Sequence, residues 1–360
     1  PRGLWGEYLR EALEGARRAA APGVGLVHLR DAVVDAEADG SGVRCALASG
    51  ASLAADRLAV ATGNAPSRPP LAPPPGASWR WEDPLAPDAL DGLPAGAPVA
   101  VVGTGLTFVD LLARLARRGH RGAVHAVSRH GLLPRPHAAA PRAPDVAPWW
   151  AFPRTARGLA ATVRRLAERH PHEDGTRAVE SLRSVTDALW RELPLPERRR
   201  FLRHLLPIWN VHRHRMPPEA AVAIRSFTGD GLLRVVAGRA EAVEEGAGGA
   251  SVRLVVRARG THALLAFDAE RLFDATGPGD PLGIPLAGAL LARGLAAADP
   301  TGLGLAVDPN GLVCPPEGPP VGVLGALGPV ARGRALESTA IPDIRVQAAR
   351  LARTWVGQLG

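Results

Sequence analysis

Lysine does not occur in this chain of 360 residues; all 43 basic side chains are arginine. Its absence excludes chemistry that needs a side-chain amine on this segment, such as a Schiff base or a phosphate-loop lysine. Cysteine is nearly missing as well. Cys45 and Cys314 stand far apart with no CxxC partner, which excludes a disulfide framework and a zinc knuckle and makes a reducing cytoplasm the expected compartment. Two buried or idle thiols are the reading of that pair. Long apolar runs are missing too: nothing approaches the ~20 residues a bilayer span needs, and the Ala/Leu-rich stretch from Leu286 is interrupted by Arg293. No membrane span is expected. No secretory signal is legible, and the chain opens on Pro1 rather than Met, so a truncated start is expected over a processed one.

With 46 % hydrophobic residues and mixed charges, the chain reads as globular, with two or three domains. The net charge of +8 invites a nucleic-acid reading, which the details weaken. The arginines are dispersed, no DNA- or RNA-binding motif is present, and the richness in Ala, Gly and Pro points to a coding bias rather than a phosphate-tracking surface. No nucleic-acid partner is expected.

Along the chain, Leu4, Tyr8, Leu9, Ala12, Leu13 and Ala16 share one helical stripe. A strand-like segment over Gly25–Val34 follows, then VRCALAS and SLAADRLAVATGN, with Gly40-Ser41-Gly42 and Ser49-Gly50 as turn signals. Residues 66–98 are rich in proline and read as a connector that Trp79 and Trp81 pack down. Residues 99–131 form a βαβ unit of the usual span, in which Phe108, Leu111, Leu112 and Leu115 face inward and Arg114, Arg117 and Arg118 sit at the helix C-terminus. Helical periods run over 150–222, strands return over 229–276, and a last helix begins near Pro342.

The βαβ unit opens with VAVVGTGLTFVD. Gly103-Thr104-Gly105, followed by Leu106 and Thr107, supplies the tight turn that lets backbone N–H groups meet a diphosphate at a helix N-terminus. The third glycine of GxGxxG is replaced by Phe108, so the alternative is a plain strand–turn–helix. The next strand ends in Ser128-Arg129-His130, where an NAD-selective site would place a carboxylate against the ribose hydroxyls. A guanidinium and a hydroxyl attract a 2′-phosphate instead, so NADPH is expected over NADH; a solvated loop arginine is the bland alternative. LAVATGN and LFDATGPG each run an apolar strand into Ala-Thr-Gly, at Thr62, Gly63 and Asn64 and at Thr276 and Gly277.

WNVHRHRM gathers His212 and His214 near His204. Read as a strand, it projects the first two oppositely, and no carboxylate or thiol completes a metal set, so no metal is expected. Arg213, His214 and Arg215 stand as candidates for a structural or substrate-anion role, with a solvated basic loop as the other option.

PRGLWGEYLREAL, LAVATGN, the GTGLT…SRHG unit, LPERRRFLRHLLPIWNVHRHRMPP, LFDATGP and LGPVARGRALESTAIPDIRVQAARLA occur in that order. Together they resemble the bacterial FAD/NAD(P)-binding protein family with a flavin-monooxygenase-like fold, over essentially the whole chain. The resemblance implies an α/β chain of two Rossmann-like dinucleotide-binding domains, the first truncated at its N-terminus, with a helical insertion over about 140–225. Residues 1–95 and 266–360 would form a discontinuous, incomplete FAD domain, and 96–265 the NAD(P)H domain. The family opens on a GGGxxG turn that this sequence lacks, so the ADP half of FAD would lose its diphosphate turn. Gly63, Gly277, Gly328 with Pro329, and the helix start Ala340-Ile341-Pro342 would lie against the flavin, where a helix N-terminus favours the negative edge of the reduced ring. The implied cofactors are FAD and NADPH. The implied activity is that of a monooxygenase on a small nitrogenous metabolite, with a flavin reductase or a non-catalytic nucleotide-binding protein as alternatives.

Overall fold

The computed structural model of the chain describes residues 2–39, 41–77, 79–137, 148–169, 175–246 and 252–357. Pro1, Gly40 of the expected turn and residues 138–147 and 170–174 of the expected helical stretch lie outside the described residues.

Helix α1 (Arg2–Ala19) leads into a three-stranded antiparallel meander, β1 (Val33–Ala38), β2 (Val43–Leu47) and β3 (Ser52–Ala55). The expected helical stripe exists, but Leu4, Tyr8, Leu9 and Leu13 on it are exposed. The strand expected over Gly25–Val34 begins only at Val33, because the preceding residues have no strand to pair with. The next strand, β4 (Leu58–Val60), ends at the first Ala-Thr-Gly. Trp79 and Trp81 do pack the connector down: their rings meet edge to face at 6.4 Å, and the Trp81 indole donates to the Leu71 carbonyl at 2.7 Å. Trp81 goes further and forms an edge strand, β5 (Trp81–Glu82).

Strand β6 (Val99–Val102), helix α2 (Leu106–Arg117) and strand β7 (Val124–Ser128) form the expected βαβ unit. All four residues of β6 are buried, as a central parallel strand covered on both faces requires. The helical stretch holds α3 (Ala156–Glu168), α4 (Thr176–Ser181), α5 (Thr186–Glu192), α6 (Leu195–Arg200), a π turn over Phe201–Leu205, α7 (Leu206–Arg213) and α8 (Pro218–Gly229). WNVHRHRM is thus not a strand. Trp209–Arg213 lie in α7, and the His214 amide donates to the Asn210 carbonyl at 2.9 Å, closing the last helical turn. The short alternation of Val, His and Arg fits either period, and Arg213 buried against Glu337 decides for the helix.

Strands β8 (Leu233–Glu245), β9 (Val252–Ala258), β10 (Leu264–Ala269) and β11 (Arg271–Asp274) complete a seven-stranded sheet of order β10-β9-β8-β7-β6-β11-β5. It takes in Trp81–Glu82 and Arg271–Asp274, which fall outside the 96–265 span expected for one domain. On one face Phe108, Leu111, Leu112 and Leu115 of α2 pack with Ala220, Ile224 and Phe227 of α8. On the other, Val102, Val127, Val236 and Leu254 meet Trp79 and Leu272. A second core lies between helix α9 (Pro285–Ala292), the meander and a small sheet in which β13 (Val321–Ala326) pairs with β12 (Leu312–Val313) and runs parallel to β4. Helix α10 (Ile341–Gly357) closes that sheet: Leu351 and Trp355 pack directly on Gly325, and a β-carbon there would have to push the Leu351 side chain aside.

Candidate functional site

Two of the signals read separately in the sequence meet in space. β6 and β11 are parallel neighbours with Val102 beside Asp274, so the Gly103 turn and the Asp-Ala-Thr-Gly end emerge side by side. Gly103 has φ +108°, and a β-carbon there would lie under 3.0 Å from the Ala275 carbonyl and 2.8 Å from the Thr276 nitrogen. Only glycine serves. The Asp274 carboxylate holds the neighbouring turn, accepting from the Thr276 amide at 3.0 Å and its hydroxyl at 2.6 Å. The other Ala-Thr-Gly end joins the same place: the Gly279 amide donates to the Ala65 carbonyl at 3.2 Å, just past Thr62, Gly63 and Asn64.

Helix α2 starts above this turn without a side-chain cap. Its first amides, from Leu106 and Thr107 onward, have no intrahelical acceptor, and the space a β-carbon would occupy at Gly105 is open. Open, uncapped amides behind a glycine turn are what a diphosphate needs.

The adjoining strand end differs from expectation in detail. Buried Thr104 lies 2.8 Å from the Ser128 hydroxyl and donates to the Leu132 carbonyl at 2.5 Å. Ser128 therefore donates to Thr104 while accepting from the Gly131 amide at 3.1 Å; its only proton serves the loop. Arg129 stays exposed, and the structure adds a cation the sequence reading missed. Arg259, at the β9–β10 hairpin, donates to His130 Nδ1. Burial first, and then Arg259 and Arg129, push the His130 pKa below its ordinary 6.5. Arg129, His130 and Arg259 thus form a positive corner beside the glycine turn. No local pattern marks Arg259; it arrives through the long-range pairing of β7 with β8 and β8 with β9.

The residues expected against the flavin line a second edge. Gly63 (φ +70°) and Gly277 (φ +97°) each face open space, whereas Gly328 (φ +74°) is buried and donates its amide to Gln347 of α10 at 2.9 Å. Pro329 follows in a short turn, and Ala340, Ile341 and Pro342 form the start of α10, with Ile341 exposed. Just before it, Ser338 is fully buried and its hydroxyl has no hydrogen-bond partner.

Glu337 anchors this segment to the helical stretch. Its carboxylate accepts from the Trp209 indole at 2.9 Å and pairs with Arg213 at 3.0 Å, both partners of that ion pair being almost wholly buried. Arg215 is likewise buried and paired with Glu180. His214 lies between, its pKa lowered mainly by burial, against the opposing pull of Glu337. Arg213 and Arg215 therefore carry their own carboxylates and are not a solvated loop. Among the described residues no group of three or more His, Cys, Asp or Glu side chains is placed to hold a metal ion. No described helix is long and apolar enough to cross a membrane.

The helical stretch encloses a cavity of about 530 Å³ that ends at Leu336. Trp190, Phe201 and Trp209 form one wall, in edge-to-face contact at 5.9 and 6.2 Å. The π turn that places Phe201 precedes Pro207, which has no N–H to continue a regular α-helical ladder. The Trp190 indole donates to the Gly333 carbonyl at 2.8 Å. A smaller cavity of about 110 Å³ lies under α10, with Asp187 and Asp343 among its walls. Burial raises the pKa of both carboxyls above 3.8.

A family model described as FAD-NAD(P)-binding matches residues 1–65. No curated protein matches the chain. Among solved structures, the ornithine hydroxylase PvdA from Pseudomonas aeruginosa superposes with a TM-score of 0.63 at 16 % identity, over 100 % of this chain and 76 % of that one. The ornithine N-hydroxylase of Kutzneria sp. 744, in a structure described with FADred, NADP+ and L-orn, gives 0.60 at 16 % identity over 98 % and 77 %. An L-lysine 6-monooxygenase from Pseudomonas syringae gives 0.59 at 17 % identity over 92 % and 71 %. The chain has the α/β fold of two-dinucleotide-binding flavoproteins, as the resemblance implied.

Proposed function

We propose that this chain is the body of an FAD-dependent, NADPH-using oxidoreductase of the monooxygenase type, acting on an amine or another soft nucleophile. The observation that carries the reading is the meeting of the Gly103 turn, the uncapped start of α2 and the corner of Arg129, His130 and Arg259. The amides after Gly103 hold the diphosphate. The two guanidinium groups take the 2′-phosphate in place of the ribose hydroxyl contacts an acidic residue would make. Residues 96–265 with their flanking strands are the nicotinamide unit, and the remainder is the flavin unit.

The residues present fit the ring end of a flavin. Gly63 and Gly277 leave room, and α10 turns its positive end toward the same edge. A flavin held there would supply a hydride acceptor for NADPH and a route of electrons to O₂; this chain would hold the two nucleotides against each other. N-hydroxylating enzymes among the structural neighbours support an amine nitrogen as the oxidised atom.

The test is the purified full-length protein. A yellow protein that oxidises NADPH well ahead of NADH supports the reading, and substrate-coupled O₂ uptake separates a monooxygenase from a reductase. A protein without flavin that leaves NADPH untouched overturns it.

A further inference from the structure

The smaller cavity, of about 110 Å³ under α10, holds charges of both signs that do not meet. Asp187 and Arg191 reach it from α5, Asp343 and Arg350 from α10, and Arg334 from the stretch that leads into α10. Asp187 Oδ1, Asp343 Oδ2 and Arg334 Nε are buried and have no hydrogen-bond partner. Among the described residues, no ion pair joins these three side chains to one another or to a fourth. The neighbouring buried charges behave otherwise: Arg213 is paired with Glu337, and Arg215 with Glu180. Asp308, also in the wall, commits its Oδ1 to the amides of Asn310 and Leu312, both at 2.8 Å. Arg191 and Arg350 are exposed and mark the open side.

We infer that this cavity binds a small amino acid as its zwitterion, with the ammonium group between Asp187 and Asp343 and the carboxylate on Arg334. A buried charge without a partner costs the fold free energy until something meets it. A ligand of one sign leaves the opposite set unmet, whereas a zwitterion satisfies both and adds no net charge. Size sets the second limit. At roughly 10–15 Å³ per water-sized occupant, the cavity takes about seven to eleven heavy atoms. That is enough for alanine, serine or proline and too little for an indole side chain. Such a guest bridges α5 to α10, whose Gln347 holds the Gly328 amide at 2.9 Å. Its binding does not rest on the flavin or the nucleotide reading.

The experiment is calorimetric titration of the purified protein with L-alanine, ethylamine, propionate and L-tryptophan. Ethylamine and propionate are alanine stripped of one charge each, and tryptophan is alanine with an indole added. The expected result is a Kd for alanine at or below about 1 mM. Ethylamine and propionate should bind at least about tenfold more weakly, with no heat from tryptophan. Asp187→Asn and Arg334→Gln should each weaken alanine about tenfold or more. Neither substitution breaks an ion pair, so both variants should melt within about 3 °C of the wild type; a larger fall would show these groups to be partnered and would overturn the inference. Ethylamine, propionate or tryptophan binding as tightly as alanine overturns it too, as does alanine binding that neither variant weakens. No alanine binding at about 10 mM leaves a cavity for water alone and sinks the proposal.

Discussion

Gly105 and Gly103 lie two residues apart in one turn, and substituting each by alanine should separate folding from ligand binding. At Gly105 the backbone is extended, φ −78° and ψ −162°, and an added β-carbon meets nothing within 4 Å. Loss of a glycine N-cap costs about 0.5 kcal/mol, so the melting temperature should fall by less than about 2 °C in a chain of this size. That same β-carbon stands in the open space over the amides of α2. Holding the phosphates one methyl group away forfeits one charge-assisted hydrogen bond, about 1.5–3 kcal/mol, so the NADPH Kd should rise roughly 10- to 150-fold. At Gly103 the costs reverse in order. A left-handed backbone costs an L-residue about 1–2 kcal/mol, and pushing the β6 end off Ala275 adds an overpacking cost of about 1–3 kcal/mol. Gly103→Ala should therefore lose about 2–5 kcal/mol by denaturant titration. NADPH fluorescence titration and thermal unfolding of both variants are the assays. Unchanged NADPH affinity in the folded Gly105→Ala protein would refute the nucleotide cradle, and wild-type stability in Gly103→Ala would refute the contact with Ala275.

Arg259→Glu should lower NADPH affinity about tenfold or more and leave NADH little changed, with an NADPH advantage that shrinks at high salt because the corner is exposed; equal losses for both nucleotides in a titration would contradict the corner. Glu337→Ala strands the buried Arg213 guanidinium and should cost about 3–5 kcal/mol in denaturant titration, and a loss below about 1 kcal/mol would show the pair to be dispensable. His120, His125, His137 and His214 all have pKa values lowered from 6.5, chiefly by burial. The unfolded chain takes up these protons first as pH falls through 6.5, so their contribution is present above that value and lost below it, toward the depressed folded values. Burial raises Asp187 and Asp343, which work the other way at lower pH. Unfolding midpoints should drop between about pH 7.5 and about pH 6.0, and a midpoint that holds or rises would disprove the histidine assignment.

The βαβ unit was legible in the sequence because its signals are local: a glycine turn, a 3.6-residue apolar period and two β-rich runs. The start of α10 at Pro342 was legible for the same reason. Arg259 was not, since only the register of β8 against β7 and β9 carries it to His130. The Ser128 hydroxyl, expected to face a phosphate, instead completes the loop with Thr104, a competition that sequence spacing does not reveal. WNVHRHRM failed through ambiguity of period, which the burial of Arg213 against Glu337 resolved. The ring-lined cavity was invisible because the apolar faces of short helices do not name their partners.

Both indoles of that cavity lean on one short stretch, Gly333–Glu337, which also leads into α10. Wall and stretch are thereby tied together at two points. A guest that shoves the rings must drag the approach to α10 with it, and anything that steadies that approach from its far side stiffens the wall in return. Thermodynamic linkage makes those two influences equal in free energy.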